Sequence, residues 1–422
     1  MPRFIPEVRT PETVAELNEA LASGVVPDAL LEQAEPFERR LIHVSLSLAG
    51  LRIIKYFYGV HSSSEARFRI LRAPPVVPIP GTSSSAHLRK FRTVFASLNN
   101  QVGRIFGPKR VQHFLDLGCS PGGFSEWTLT NNPAARGMGI TLPDSEASWP
   151  MNTTDTQLEG DRYELRFANI ISLVAETETD ELLFRPGQFD LVLAGAFPTF
   201  QRVTFVHRAQ LVLSELVILL RNIKYGGNGV VLINNKPFRW IVEVVSILRR
   251  CFTEVRAEKG GRVHKERSSC YLVCTGFCAT RDVRERFIGR LRSTLDILAA
   301  YAAEHSSLCL PEDELCREND GHNFDDREVY RSAMPHMVIR IFDDISDDAV
   351  FEHEHEFFIA ILEPVWNFQY KAIYTLLCDG LQQPIRRASG TSFPRFLTRS
   401  CRHVRAKYSC INPVAEDSEA RD

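Results

Sequence analysis

The chain has 422 residues, 44% hydrophobic and 24% charged, with a formal net charge of −2. That length holds one large or two modest domains of ordinary globular composition. The near-neutral balance excludes a generic polyanion binder, so any nucleic-acid surface must be a local patch. The ten cysteines are scattered. Cys309 and Cys316, like Cys401 and Cys410, have no partner pair, and this spacing argues against zinc or any other metal. The opening MPRFIPEVRTPETV lacks an apolar signal core, and no apolar run approaches the length that spans a bilayer. The expectation is a reduced, intracellular protein of the cytoplasm or nucleus, without a membrane association.

Thr10, Pro11, Glu12 and Thr13 supply helix-start chemistry. Residues 28–58 read as one or two longer helices, with apolar faces from Leu30, Leu31, Leu41, Ile42, Leu48, Leu51 and Ile54. Residues 1–72 are thus expected to form an N-terminal helical extension packed on the main domain. Segment 73–85 holds Pro74, Pro75, Pro78, Pro80 and Gly81 before a serine run, and reads as a linker. Residues 86–110 carry Arg89, Lys90, Arg92, Arg104, Lys109 and Arg110 without an acidic residue, interleaved with Phe91, Phe95 and Phe106. Such a helix is either a surface for RNA phosphates or the solvated face of a core helix, and both readings stand.

The central block alternates. Strands are expected at 113–117, 136–142, 164–168, 189–194, 229–233 and 269–275, with helices starting at 124 and spanning 205–224 and 241–251. Gly226 and Gly227 are expected to end the long helix in a left-handed conformation. Alternation of this kind implies a mainly parallel sheet covered on both faces. The first strand ends near Asp116 and passes into Gly118-Cys119-Ser120-Pro121-Gly122-Gly123 before Phe124 opens a helix. Strand, glycine-rich turn and helix place a small polar ligand at a helix N-terminus, where amides are free and glycines admit the main chain. Asp116 is suited to hold a cationic or hydroxylated part of that ligand; an ordinary tight turn is the competing reading. The spacing is neither the dinucleotide fingerprint nor a P-loop.

After residue 281 the alternation stops. Residues 281–303 form a helix candidate, 312–356 are acidic and include Asp343, Asp344, Asp347 and Asp348, 357–381 form an apolar helix, and 386–407 are basic. The acidic and basic parts are expected to pair with each other, or the basic part to contact nucleic acid. In the run 352–356, His353 and His355 are two apart and would point to different faces of a helix, so a solvated helix start is preferred to a metal site.

D-L-G-C-S-P-G-G-F, residues 116–124, resembles motif I of S-adenosylmethionine-dependent methyltransferases, and its ending looks like that of the FtsJ-like (RrmJ-type) 2′-O-ribose RNA methyltransferases. Three further stretches are similar to that family in order and spacing: the F-D-L-V-L strand at 189–193 with Pro198 beyond it, the long helix leading to K-Y-G-G-N-G-V-V at 224–231, and S-S-C-Y-L-V-C-T-G-F at 268–277. The resemblance implies an α/β Rossmann-like class I methyltransferase fold over residues 86–280. Its sheet would be mostly parallel and seven-stranded with helices on both faces, flanked by N- and C-terminal helical extensions, the latter spanning 281–422. It implies S-adenosylmethionine as cofactor and RNA as partner, bound through local basic segments, with rRNA processing as a setting. Carried over residue by residue, the cofactor site comprises Asp116, Gly118, Cys119, Pro121, Gly122, Gly123, Phe124, Asn169 and Gly195. Asn169 stands where the family often has an Asp that holds the adenine amino group. The family's acidic residue near the ribose has no clear match, Asp144 being displaced.

FtsJ-like enzymes use a Lys-Asp-Lys-Glu set to manage the proton of the attacking hydroxyl. Three of the four matched positions depart from it and hold Gly195, Leu232 and Ser269; Lys90 is a loose match for the first lysine. Lys236, four residues past Leu232, and Glu266, three before Ser269, are the displaced candidates, each weighed against an ordinary surface charge. Two functions follow: a methyltransferase acting on RNA ribose or another acceptor, or a catalytically inactive relative that binds cofactor or RNA as a scaffold.

Overall fold

The computed structural model describes residues 11–60, 83–143, 158, 160–175, 187–197, 205–304 and 339–381. Asp144, Pro198, Cys309, Cys316, Cys401, Cys410, the proline-rich part of the expected linker and the basic segment 386–407 lie outside them. In chain order the helices are α1 (Val14–Ser23), α2 (Asp28–Gln33), α3 (Pro36–Val44), α4 (Leu46–Val60), α5 (Ser83–Gln101), α6 (Gly123–Asn131), α7 (Ile170–Ala175), α8 (Phe205–Asn222), α9 (Arg239–Cys251), α10 (Arg281–Glu304) and α11 (Asp347–Gly380). The strands are β1 (His113–Leu117), β2 (Arg136–Thr141), β3 (Tyr163–Phe167), β4 (Phe189–Ala194), β5 (Ile223–Asn234), β6 (Phe252–Glu258) and β7 (Ser269–Phe277).

Among the described residues these strands form one seven-stranded sheet in the order β3-β2-β1-β4-β5-β7-β6. The first five pair in parallel, and β7 runs antiparallel to both β5 and β6. The central strands are apolar on both sides because both sides are covered: all six residues of β4 are buried. One face packs on α5 and α6 through Phe95, Phe106, Phe114, Phe124, Trp127 and Leu191. The other carries α7, α8, α9 and α10, and its core continues into α1 to α4 and α11. Among the described residues no helix is long and apolar enough to cross a membrane.

The structure departs from the sequence expectations in several places, each with a local cause. Residues 28–58 form three helices, because Pro36 restarts the chain at the first position of α3 and Ser45 accepts from Leu48 N at 3.2 Å to cap α4. Helix α5 begins inside the serine run at Ser83. Helix α8 ends at Asn222 rather than at the glycines. Ile223 already pairs with Phe189, and Gly226, at φ 76°, lies in an irregularity of β5 opposite Asp190. A side chain at Gly227 would meet Ile223 at 2.9 Å. Strand β6 lies at the sheet edge and follows α9 directly, with no turn residue to announce it; only Phe252, Val255 and Ala257 are buried. Helix α11 starts ten residues before the apolar stretch at 357, since Ser346 Oγ accepts from Ala349 N at 3.2 Å and two aspartates occupy the first turn.

The N- and C-terminal helices pack against each other. Ser47 Oγ donates to Glu363 at 2.8 Å, Tyr374 OH donates to Asn18 at 2.8 Å, and the Phe37 and Phe351 rings meet edge-on at 5.7 Å. The acidic residues around 343–354 find bases across the molecule: Asp344 takes a bidentate Arg290 at 2.6 and 2.8 Å, Asp348 pairs with Arg40, and buried Glu354 lies between Arg249 and Arg250. Fully buried Arg239 is the hub. It donates to Glu243 at 2.8 Å, to the carbonyls of Phe342 and Ile345 at 2.8 and 2.6 Å, and to Asp347. Glu243 in turn accepts from Ile341 N at 2.7 Å. Removing one member strands the others in a dry interior. Arg239→Met is expected to lower unfolding stability by about 3–5 kcal/mol in chemical denaturation, and the Arg239→Met/Glu243→Met double variant by less than the sum of the two single changes.

Candidate functional site

Strand order reverses direction between β1 and β4: the crossover from β1 leads outward to β2, and that from β4 leads the other way to β5. Loops leaving the carboxyl ends of two such strands diverge, and the crevice between them is where open α/β sheets take ligands. The glycine-rich loop after β1 lies there. Gly118 has φ 72°, and a Cβ on it would sit 2.3 Å from Cα of Ala196, so the loops after β1 and β4 touch through bare main chain. Gly118 N and Cys119 N both donate to Ile140 O, at 2.8 and 3.1 Å, and Gly195 N donates to Leu117 O at 3.2 Å. Among the described residues, a Cβ on Gly195 would meet nothing within 4 Å.

The turn closes with Gly122 N donating to Cys119 O at 2.7 Å, and Gly122, at φ 104°, leads into α6 without a side-chain cap. The first amides of α6 have no acceptor within the helix. Gly123 serves packing: a Cβ there would lie 2.6 Å from Leu88 O and 2.8 Å from Arg92 N, so α5 runs directly against the loop. Pro121 is buried. Phe124 points into the aromatic core, 4.8 Å from Phe95 and 5.8 Å from Tyr271 between ring centres.

Beneath the loop is a buried polar cluster. Ser125 Oγ donates to Asp116 at 2.6 Å and shares a 3.0 Å bond with the Tyr163 hydroxyl. Asp116 thus ties β1 to the first turn of α6. Burial pushes its carboxyl up to about 7, against the pull of the two bonds from Ser125. Cys119 is buried beside it and its thiol is pushed well up, by burial first and by Asp116 second. Tyr163 reaches this place because β2 has no side chains in the way: a Cβ at Gly139 would lie 1.8 Å from the Tyr163 hydroxyl, and one at Gly137 would lie 2.1 Å from the Phe114 ring. A second acid approaches from the opposite face. Glu215 of α8 is fully buried and accepts from Ala196 N at 2.8 Å.

Asn169 stands exposed after β3, and its side-chain oxygen accepts from Ile171 N at 2.9 Å, capping α7. Lys90 is exposed on α5, with Arg89 exposed beside it, on the side away from the Leu88, Phe91 and Arg92 contact with Gly123. Phe91 is half-buried and Phe95 and Phe106 are buried, so the aromatics among the basic residues pack inward while Arg89, Lys90, Arg92, Arg104, Lys109 and Arg110 face solvent.

The remaining catalytic candidates gather at the carboxyl end of β5. Leu232 is buried beside Tyr271 on the neighbouring strand. Lys236 is buried just beyond, its ammonium 5.9 Å from the Phe238 ring centre. Ser269 Oγ lies 3.3 Å from His264 Nδ1, and His264 Nε2 lies 3.2 Å from the Tyr271 hydroxyl. Burial pushes His264 down to about 4, with Arg267 and Lys259 adding to the effect, so the ring is neutral. Lys259 donates to the carbonyls of Arg267 and Ser269, and burial pushes it down to about 8. Glu266 pairs with Lys265 at 3.1 Å. Lys55 of α4 donates to Ser268 Oγ at 3.1 Å, bringing a cation from the N-terminal helices to this edge. Helix α11 closes the same edge: Asn235 donates to Gln369 at 2.7 Å, Trp366 donates to Asn235 O at 3.0 Å, and Gln369 donates to Glu266 O at 2.8 Å.

Residues 95–277 match the model of the FtsJ-like methyltransferase family, so this part of the chain is an FtsJ-like methyltransferase domain with the expected mostly parallel sheet. No curated protein matches the chain. Among solved structures, a Plasmodium falciparum protein assigned to the ribosomal RNA methyltransferases is 16% identical, with 45% of this chain and 97% of that one covered and a TM-score of 0.33. The N-methyltransferase NodS from Bradyrhizobium japonicum is 13% identical, over 45% and 96% of the two chains, with a TM-score of 0.28. Human methyltransferase-like protein 13 in complex with SAH is 16% identical, over 50% and 92%, with a TM-score of 0.30. At these values nothing about activity follows from the three structures.

Two outcomes test the loop's construction. Gly123→Ala forces α5 off the loop and is expected to lower stability by about 1–3 kcal/mol in chemical denaturation. Asp116 has a folded pKa raised from 3.8 to about 7, so its contribution to stability is full below the unfolded value and is lost as pH rises through about 7. Melting temperatures of Asp116→Asn across that range should therefore fall less than those of the wild type.

Proposed function

We propose that the domain binds S-adenosylmethionine in the crevice between the loops after β1 and β4 and transfers its methyl group to the 2′-hydroxyl of an RNA ribose. The carrying observation is the main-chain contact of Gly118 with Ala196, beside open space at Gly195. Such a floor admits a flat, polar molecule without side-chain obstruction, and the first turn of α6 offers amides and a positive dipole end to a carboxylate. When bound, the cofactor supplies an electrophilic methyl group on a sulfonium.

The chain's own contribution is chiefly positioning. Holding a hydroxyl in line is worth on the order of 7–11 kcal/mol of barrier, so the family's full proton-handling set is not a strict requirement. Leu232, Ser269 and Gly195 replace three members of that set. Lys236 is proposed to orient the acceptor and ease loss of its proton. The exposed Arg89 and Lys90 are proposed to hold RNA phosphates on the outer side of α5, with Arg92, which pairs with Glu126 at 3.2 Å, nearer the loop.

The substituted set also favours a second reading, a scaffold that binds cofactor or RNA without turnover. Calorimetry with S-adenosylmethionine and a tritiated-methyl assay on total RNA separate the two. Micromolar binding with label transfer is the expected result; binding without transfer would establish the scaffold, and no binding would end both cofactor readings. Lys236→Ala should keep cofactor affinity and lower transfer by about 10²–10⁴-fold. Undiminished transfer in that variant would remove Lys236 from the mechanism.

A further inference from the structure

The run L-V-L-S-E-L-V-I-L-L of α8 contains one carboxylate, Glu215, at a position with 0% exposure. An apolar residue would satisfy the helix and its packing there. The two carboxylate oxygens have different fates. One accepts from Ala196 N at 2.8 Å; the other, Oε2, has no hydrogen-bond partner among the described residues. Buried carboxylate oxygens are normally met by donors, and an unmet one is costly to keep. Its place in the fold is specific, since Ala196 is the residue on which Gly118 rests. Glu215 therefore reaches the floor of the crevice from one face of the sheet while Asp116 approaches from the other.

The charged group acting on Glu215 is another acid: burial first, then the nearby Asp116, push its carboxyl well up, and the Ala196 amide only partly opposes them. In its ionised form the carboxylate is short of one donor among the described residues, and a nearby positive charge would favour that form. We infer that Glu215 is the receptor for the α-ammonium group of the cofactor's amino-acid end. This rests on the reading that the crevice binds S-adenosylmethionine. The assignment also sets polarity: the amino acid's ammonium group goes to the paired acids, and its carboxylate to the amides of α6, where the helix dipole favours it. A primary ammonium supplies both the missing donor and the missing charge.

The test uses the full chain and two ligands that differ at that end: S-adenosylhomocysteine, and its deaminated analogue with hydrogen in place of the amino group. In the wild type, calorimetry should show the deaminated analogue binding at least about tenfold more weakly, the scale of a lost charge-assisted hydrogen bond. Glu215→Gln retains the side-chain shape and an oxygen for Ala196 N. In this variant S-adenosylhomocysteine should weaken to the level of the analogue, and the analogue itself should change by less than about twofold. Equal affinities of the two ligands for the wild type would overturn the inference without any variant. So would equal weakening of both in Glu215→Gln, which would mark Glu215 as structural. Wild-type protein that binds neither ligand would instead defeat the cofactor reading on which the inference stands.

Discussion

The loops that leave β1 and β4 meet where Gly118 lies against Ala196, and much of the domain is arranged to allow it. Gly118 takes a left-handed conformation and lies so close to Ala196 that no side chain fits between them. The contact holds the two strand ends together at the point where the crossovers part. Bracing comes from below. Phe114 and Tyr163 pass over two strand glycines, and Tyr163, Ser125 and Asp116 then lock β1 to the helix that follows the loop. On the outer side, Gly123 brings α5 to the same loop.

The electrostatics fit this construction. Asp116 and Glu215 are buried acids on opposite faces of one sheet, and each is made a weaker acid by burial. Two carboxyls so placed do not ionise readily together, since each charge raises the cost of the other. A buried pair of this kind is poorly explained by stability, because apolar residues of similar volume would do as well or better. It makes sense where a cation arrives. The same region holds the positive end of α6, so buried acids and free helix amides lie close together.

How much of this was legible in the sequence depends on whether a feature is local. The apolar runs of β1, β4, β5 and β7, separated by turn residues, announce a sheet buried on both faces, because such burial demands continuous hydrophobicity. The glycines of residues 118–123 announce the loop because few other residues adopt those angles. Strand β6 was missed because it is an edge strand with alternating polarity and follows α9 without a breaker. Gly226 was misread as a helix stop because a left-handed glycine signals a break in regular structure without saying which element it breaks. Tyr163 and Glu215 were not singled out, since one lies in a short edge strand and the other is a lone acid in an apolar helix. Their only signals were Gly137 and Gly139 alternating along β2, and a carboxylate where the helical pattern called for a hydrophobe.

The acceptor side was the least legible, because its parts come from distant segments. Lys55 arrives from the N-terminal helices, Gln369 and Trp366 from the C-terminal one, and Lys259 and His264 from the turn between β6 and β7. Ser269 faces a neutral imidazole, and a buried ammonium holds its carbonyl. The cation near this edge is therefore governed by carbonyls, hydroxyls and burial rather than by paired carboxylates. Burial makes Lys259 lose its proton more easily than an exposed lysine does. Any proton transfer at this edge must be judged against the carbonyl and imidazole neighbours placed there.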